Sequence, residues 1–459
     1  MAVLGFHVVV CLIAVTALSK LGPRFSFINF LITSGLYRFV SPSNHELRAL
    51  LPQHKEKMTN RNRRKKREEQ EAEGFNVPKS SPFQLNLIAV QAADLKHFEM
   101  YTSLHWLCLS IPICLIVYTV SETFNFVVPQ NKDFNLTIIL LLVIAGFVLQ
   151  ILAALTSWLV GNVDERGFLL SIGALYFLFS CIFAMSADRV FDIRMLEAYD
   201  RLSENIAEFV KEANVFTNGT NVVDYRPDNP LFLYISLSIF FSVLSAMLVF
   251  PNFRYALMYL RSIENDGPVR KILNHAAFLI PSLILITFIS PIKHQLVEGP
   301  RKLLTQEQVE IGRVYLVLVW LLLKIVTRVS HLQAHLNLSY EKVAEMQKES
   351  GTVKNFAIQS MVLRYYSYIC YAALQYYGPV VLSTLFALLL KTTGELSWLA
   401  IPATSTITAR SLEVQGPIRY VFDATVCKAF FSFLFLVTVL INFSLSLMGV
   451  VYHNFFARA

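Results

Sequence analysis

Charge is scarce in this sequence. Asp, Glu, Lys and Arg make up 16% of its 459 residues, against 55% apolar residues. A water-soluble domain carries about 25% charged residues, so an ordinary soluble globule is excluded. Cysteine is scarce too. The six cysteines (11, 108, 114, 181, 370 and 427) form no CxxC pair, which excludes a disulfide scaffold and offers no metal or redox motif. They read as small buried apolar residues. Among the 17 glycines no two lie four or five apart. That removes the GxSxG nucleophile elbow, the Walker A loop and the GxxxG dimer face, and the GxGxxG dinucleotide fingerprint is missing as well. No cofactor is implied. Disorder is excluded by 36 Phe and 19 Tyr, because disordered chains have few aromatics.

What is present is a series of long apolar runs. A hydrocarbon core of about 30 Å takes roughly 17–25 helical residues to cross, and every backbone polar group inside it must be paired within the segment. Nine runs qualify, at 2–19, 104–120, 136–160, 168–187, 231–250, 274–291, 311–327, 365–390 and 428–452. The expected fold class is all-α, a polytopic integral membrane helical bundle of about nine transmembrane helices, or eight if the first is a cleaved signal. A signal peptide places positive charge before its apolar core. Here Lys20 and Arg24 follow it, so an uncleaved signal-anchor helix over 1–19 with its N-terminus outside is favoured.

Nine spans make two sets of connections. The set with 20–103, 161–167, 251–273, 328–364 and the C-terminal tail holds 25 Lys and Arg, and the other (121–135, 188–230, 292–310 and 391–428) holds 13. The positive-inside rule puts the first set in the cytoplasm. The chain divides accordingly into the anchor, a basic cytoplasmic loop (20–103), membrane helices 2–4 (104–187), a lumenal or extracellular loop (188–230) and membrane helices 5–9 (231–459). Asn218-Gly219-Thr220 is a glycosylation acceptor on the outer side by the same count. Asn135-Leu136-Thr137 lies close to the membrane.

The net charge of +8 is concentrated in the first loop, where RNRRKKREEQEAE (61–73) sits beside a membrane span. Anionic lipid, not nucleic acid, is the partner this suggests, with a solvated charged stretch as the plainer alternative. In the outer loop, Leu196, Tyr199, Leu202, Ile206, Phe209 and Val210 fall at helical spacing, predicting an amphipathic helix. The stretch 328–350 extends the seventh span, with Leu332, Leu336, Val343 and Met346 spaced for a neighbour. His331 and His335 share a helix face, but the glutamate of HExxH is missing, so polar contacts at the membrane surface are expected there.

The seventh span carries Arg313 and Lys324 in an otherwise apolar helix. A charge in hydrocarbon snorkels, pairs, or marks a pathway. If Arg313 pairs, Glu122 or Asp423 at the outer ends of the second and ninth spans are the expected partners, forming a charge cluster of Arg313, Lys324, Glu122 and Asp423. Gln150 and Asn442 lie at plausible depth for Lys324. The nine cores contain no Asp or Glu well inside, where cation pumps place carboxylates. Pro112, Pro281 and Pro379 interrupt spans; Gly378-Pro379 is expected to kink or break the eighth helix.

Several of these segments carry a resemblance. The start MAVLG, then SPSNHELRAL (41–50), VPKSSPFQL (77–85), FPNFR (250–254), GRVYLVLVWLLLKIVTRVSHLQAHL (312–336) and LQYYGPVVLSTLFALLLKTTGELSW (374–398) are similar to the transmembrane protein 161 family over nearly the whole chain. Arg313, Lys324, Arg328, His331, Leu332, Gln333 and Ala334 all fit the family pattern. The resemblance implies a multi-pass membrane protein of plasma membrane or endoplasmic reticulum without known catalytic activity. It also implies a link to ion currents, calcium handling and stress responses.

Two functional readings follow. One is a non-enzymatic regulator of channels or calcium pumps. The other is a channel or transporter using the charged seventh helix. A lipid-acting enzyme fits less well, since no His or Asp cluster faces the cytoplasm, and no small-molecule substrate is indicated.

Overall fold

The computed structural model describes residues 6–21, 27–50, 74–128, 135–161, 163–216, 230–300, 302–400 and 422–456. The acceptor Asn218 and the basic block 61–73 lie outside them. Helices account for 81% of the structure, as expected where lipid leaves backbone groups no partner but their own helix.

Seven helical stretches are long and apolar enough to cross a membrane. They are α3 (Tyr101–Val127), α4 (Thr137–Leu159), α5 (Val163–Val190), α7 (Leu231–Asn265), α8 (Pro268–Phe288), the continuous pair α11 (Asn355–Ser367) and α12 (Ile369–Thr393), and α13 (Ala424–Val451). The chain is an all-α polytopic membrane protein. The other two expected spans fall on α1 (Phe6–Leu21) and α10 (Gln306–Lys348), neither of which is among the seven.

At the centre stands α12. Every residue from Ile369 to Lys391 is buried, because α4, α7, α10 and α13 pack around it. A helix apolar all round has no solvent face to present. Gly378 lets α4 close in, since a Cβ there would meet Leu152 at 3.0 Å; at Gly449 a Cβ would meet the Ala256 Cβ of α7 at 2.8 Å. Small residues at helix crossings are how apolar helices gain contact without a hydrophobic drive.

The 43-residue α10 begins on a capping box of Thr305 and Gln308. It runs antiparallel to α8 and α12. Arg313 meets Thr287 and Trp320 meets Ala277 on α8, while Tyr315, Thr327 and His335 meet Trp398, Tyr376 and Tyr365 in turn. The helix therefore connects both ends of the bundle. Leu332, Leu336, Val343 and Met346 are all buried, as their spacing predicted.

Segments of the more basic set gather at one end. Two small antiparallel pairs form there, β1 (Tyr37–Val40) with β3 (Asn86–Ala89) and β2 (Asn76–Pro78) with β4 (Thr352–Lys354). Between β1 and β2, Ser43 and Glu46 cap α2 (Asn44–Ala49). A separate core of Leu47, Val77, Phe83, Val343, Met346, Ile358 and Val362 joins the first loop to α10 and α11. The less basic segments meet at the opposite end, where α6 (Met195–Phe216) and α9 (Ser290–Val297) lie. The amphipathic α6 packs against α13 through a face that overlaps the predicted stripe in part: Met195, Ala198 and Asn205 are buried and Tyr199, Leu202, Ile206 and Val210 half-buried, while Leu196 and Phe209 point outward.

Four spans hold an internal proline, and none is broken. α12 is continuous through Gly378-Pro379. A helical proline leaves the carbonyl four residues earlier without its donor. In α8 the orphan below Pro281 is Ala277 C=O, and Trp320 Nε1 donates to it at 3.0 Å. In α7 the orphan below Pro251 is Met247 C=O, which Thr156 Oγ1 approaches at 3.3 Å. Neighbouring side chains thus restore what proline removes.

Candidate functional site

The end of the bundle that carries Arg313 holds a network of charges. Arg313 is almost wholly buried at 2% exposure. Its guanidinium donates to Thr287 C=O at 2.7 Å and to Asp192 Oδ2 at 3.1 Å, and lies 3.9 Å from the Phe288 ring centroid. The same Asp192 oxygen accepts from Lys293 Nζ at 2.6 Å. Lys293 also lies 4.0 Å from Glu310, whose other oxygen meets Lys428 Nζ at 2.6 Å. Burial alone would raise the Asp192 carboxyl, but Lys293 and Arg313 outweigh it and hold it below the usual carboxylate value. One buried carboxylate thus serves two cations, and charge-assisted bonds of this kind are the strong ones.

The expected partners of Arg313 are engaged elsewhere. Glu122 pairs with Lys391 of α12 and accepts from Trp398 Nε1 at 3.1 Å. Asp423 caps α13 by accepting from Ala424 N, and lies 3.8 Å from Arg201. An end-of-bundle cluster exists, but its carboxylates are Asp192 and Glu310. The reason is packing. Arg313 faces α8, and the turn after α5 brings Asp192 against the end of α8, where Asp192 N donates to Phe288 O. Asp192 was not singled out in the sequence. Lys293, Lys391 and Trp398 were also missed. The available signal was their place within a few residues of a span end, where a charge is drawn inward if a counter-charge waits there.

Deeper in the bundle, Lys324 does not reach the interface. It is 4% exposed, with Nζ 3.0 Å from the Tyr255 ring centroid and 4.7 Å from that of Tyr376. Gln150 is exposed on another face. Asn442 lines the same small cavity, about 20 Å³, together with Asn252, Gln375, Ser446, Trp320 and the helix prolines Pro251, Pro281 and Pro379. Three helix prolines therefore converge on the cavity beside the buried lysine. Around them runs a polar chain: Ser446 donates to Asn252 Oδ1 (3.0 Å), Asn252 to Asn442 Oδ1 (3.1 Å), and Asn442 to Ser383 Oγ (3.3 Å). Arg254 donates to Gln375 Oε1 at 3.1 Å.

The family comparison covers every helix that contributes to this polar interior. The family model described as predicted transmembrane protein 161AB matches residues 2–457. The chain belongs to the transmembrane protein 161 family. No solved structure matches it.

For this member of the transmembrane protein 161 family, the histidine pair is now accounted for. His331 packs against the rings of Tyr376 and Tyr255 (centroids 4.3 and 5.6 Å), and His335 Nε2 lies 3.0 Å from Tyr365 O. Both are buried, not laid at the membrane surface as expected. Among the described residues no group of three His, Cys, Asp or Glu stands close enough to hold a metal.

Proposed function

We propose that this member of the family is a non-enzymatic membrane protein of nine spans that regulates ion currents or calcium handling through contacts with channels or pumps. The observation that supports it is the closed interior. The central helix α12 has no exposed residue between Ile369 and Lys391, and the cavity beside Lys324 has room for only about one water-sized occupant. Arg313 and Glu310 of α10 are paired with charges inside the bundle. What remains to act is the outside of the bundle. There α5, the least enclosed of the candidate spans, presents Leu170, Leu178 and Ile182 outward.

Counting α10 as a span rests on its antiparallel course between α8 and α12. Counting α1 rests on its docking to α3: Phe6 stacks on Phe124 at 3.7 Å and His7 Nδ1 lies 2.9 Å from Ser121 Oγ. That contact favours an anchor held in the bundle. The membrane, plasma or endoplasmic reticulum, is part of the proposal.

Two measurements test it together. Purified protein alone in liposomes passes no K⁺, Ca²⁺ or Cl⁻ flux, while cells lacking the protein show altered whole-cell currents or calcium-store release that the wild-type chain restores. A flux in liposomes that Lys324→Ala abolishes, with folding intact, overturns the reading in favour of a transporter.

A further inference from the structure

The cavity beside Lys324 has an unbalanced set of hydrogen-bonding groups. Lys324 itself is 96% enclosed, at 4% exposure, and no carboxylate lies within ion-pair distance of it among the described residues. The tyrosine rings beneath its ammonium attract it through their quadrupoles but carry no net charge. A buried charge without a counter-charge is costly.

A second donor lines the same space. Gln375, 3% exposed, gives its carbonyl oxygen to Arg254. That bond fixes which way the amide points, and leaves its NH₂ group without an acceptor among the described residues. Most of the remaining polar walls are committed. Asn252, Asn442 and Ser446 bond chiefly to one another, the Trp320 indole N–H is spent on Ala277 C=O, and Tyr376 OH donates to Lys324 C=O at 2.7 Å. The cavity therefore offers an ammonium and an amide donor, and no acid. Such a site selects a negative ligand. Its size of about 20 Å³ admits one water-sized particle, which excludes phosphate and organic acids.

We propose that this cavity binds a single dehydrated halide ion, chloride in the cell, with Lys324 Nζ and Gln375 Nε2 as its donors. The ion supplies the missing counter-charge where α7, α8, α10, α12 and α13 meet. It stabilises the packing of the three proline-containing helices, and because the site is enclosed by five helices it exchanges slowly. This inference does not depend on the regulatory reading, and a negative result leaves that reading in place.

The test uses the full-length protein in lipid nanodiscs. Thermal unfolding is followed in potassium chloride, bromide and gluconate at equal ionic strength. A ligand that binds only the folded state raises the midpoint with its concentration, so the melting temperature rises saturably with chloride or bromide and not with gluconate. Lys324→Met abolishes that dependence, and Gln375→Leu weakens it at least tenfold in the halide concentration required. Crystals grown in bromide show an anomalous peak beside Lys324 Nζ in the wild-type protein, a readout that needs no variant to fold. Equal melting in chloride and gluconate, a halide shift that survives Lys324→Met, or a water with no bromide signal at this position overturns the proposal.

Discussion

Asp192 is the residue whose loss should be felt most at the end of the bundle that carries Arg313. Its Oδ2 accepts from Lys293 Nζ at 2.6 Å and from Arg313 at 3.1 Å. Asp192→Asn keeps the shape and removes the charge. Two cations are then left without their shared partner, with Arg313 at 3% and Lys293 at 10% side-chain exposure. Removing one member of a buried ion pair costs about 3–5 kcal/mol. Part of that is recovered here, because Arg313 keeps Thr287 C=O and the Phe288 ring, Lys293 keeps Glu310 at 4.0 Å, and the Asn amide still offers an oxygen. The lower end, about 3 kcal/mol, is therefore expected. The assay is reversible unfolding in mixed detergent micelles of wild type, Asp192→Asn, Arg313→Met and the double variant. The cycle should return a coupling of about 2 kcal/mol, in the range for a hydrogen bond between charged groups. Arg201→Met serves as the comparison: its contact with Asp423 is 3.8 Å long and half exposed, and exposed pairs contribute about 1 kcal/mol or less. A cycle that couples Asp192 to Arg313 no more strongly than Arg201 to Asp423 would refute the idea that this network is a buried, mutually dependent unit.

Three further outcomes follow from the geometry. The depressed Asp192 value means that its contribution is complete above its unfolded value of about 3.9 and is lost as pH falls through the lower native value. Thermal stability should therefore drop below pH ~4 in the wild type, and less so in Asp192→Asn. Gly449→Val forces a side chain into Ala256 and Phe253 of α7, where even a Cβ has only 2.8 and 3.2 Å; overpacking of this kind costs about 1–3 kcal/mol, read as a lower melting temperature, and an unchanged one would contradict the close crossing. Asn218→Gln should remove a glycan that an endoglycosidase removes from the wild type, and an unshifted wild-type band would count against the outward placement of that loop.

Much of the architecture was legible because lipid enforces one rule, that an apolar run of sufficient length becomes a helix. The runs at 136–160, 231–250 and 428–452 correspond to α4, α7 and α13. The extension of α10 to Lys348 was also legible, from the spacing of Leu332, Leu336, Val343 and Met346. Arg313 and Lys324 announced themselves as charges in an apolar helix. Their surroundings did not. Which acid meets Arg313 depends on how the turn after α5 lands on the end of α8, and nothing local to Asp192 encodes that. Lys324 held against two tyrosine faces was hidden for the same reason, since Tyr255 and Tyr376 read as ordinary span residues. Gly378-Pro379 does not break α12, because the packing that encloses the helix on every side carries it through the missing bond.

α10 is the longest of the helices and contains no proline: α3, α7, α8 and α12 each hold one, while α10 runs through 43 residues without interruption. At 1.5 Å per residue it is a strut of roughly 65 Å. Its upper turns are clamped by Asp192 through Arg313, and its lower turns are embedded in the small core with Leu47 and Val77. A torque applied to either extremity of this rod is therefore delivered to the other, giving the small core at one end of the bundle a mechanical line to the charges at the opposite end.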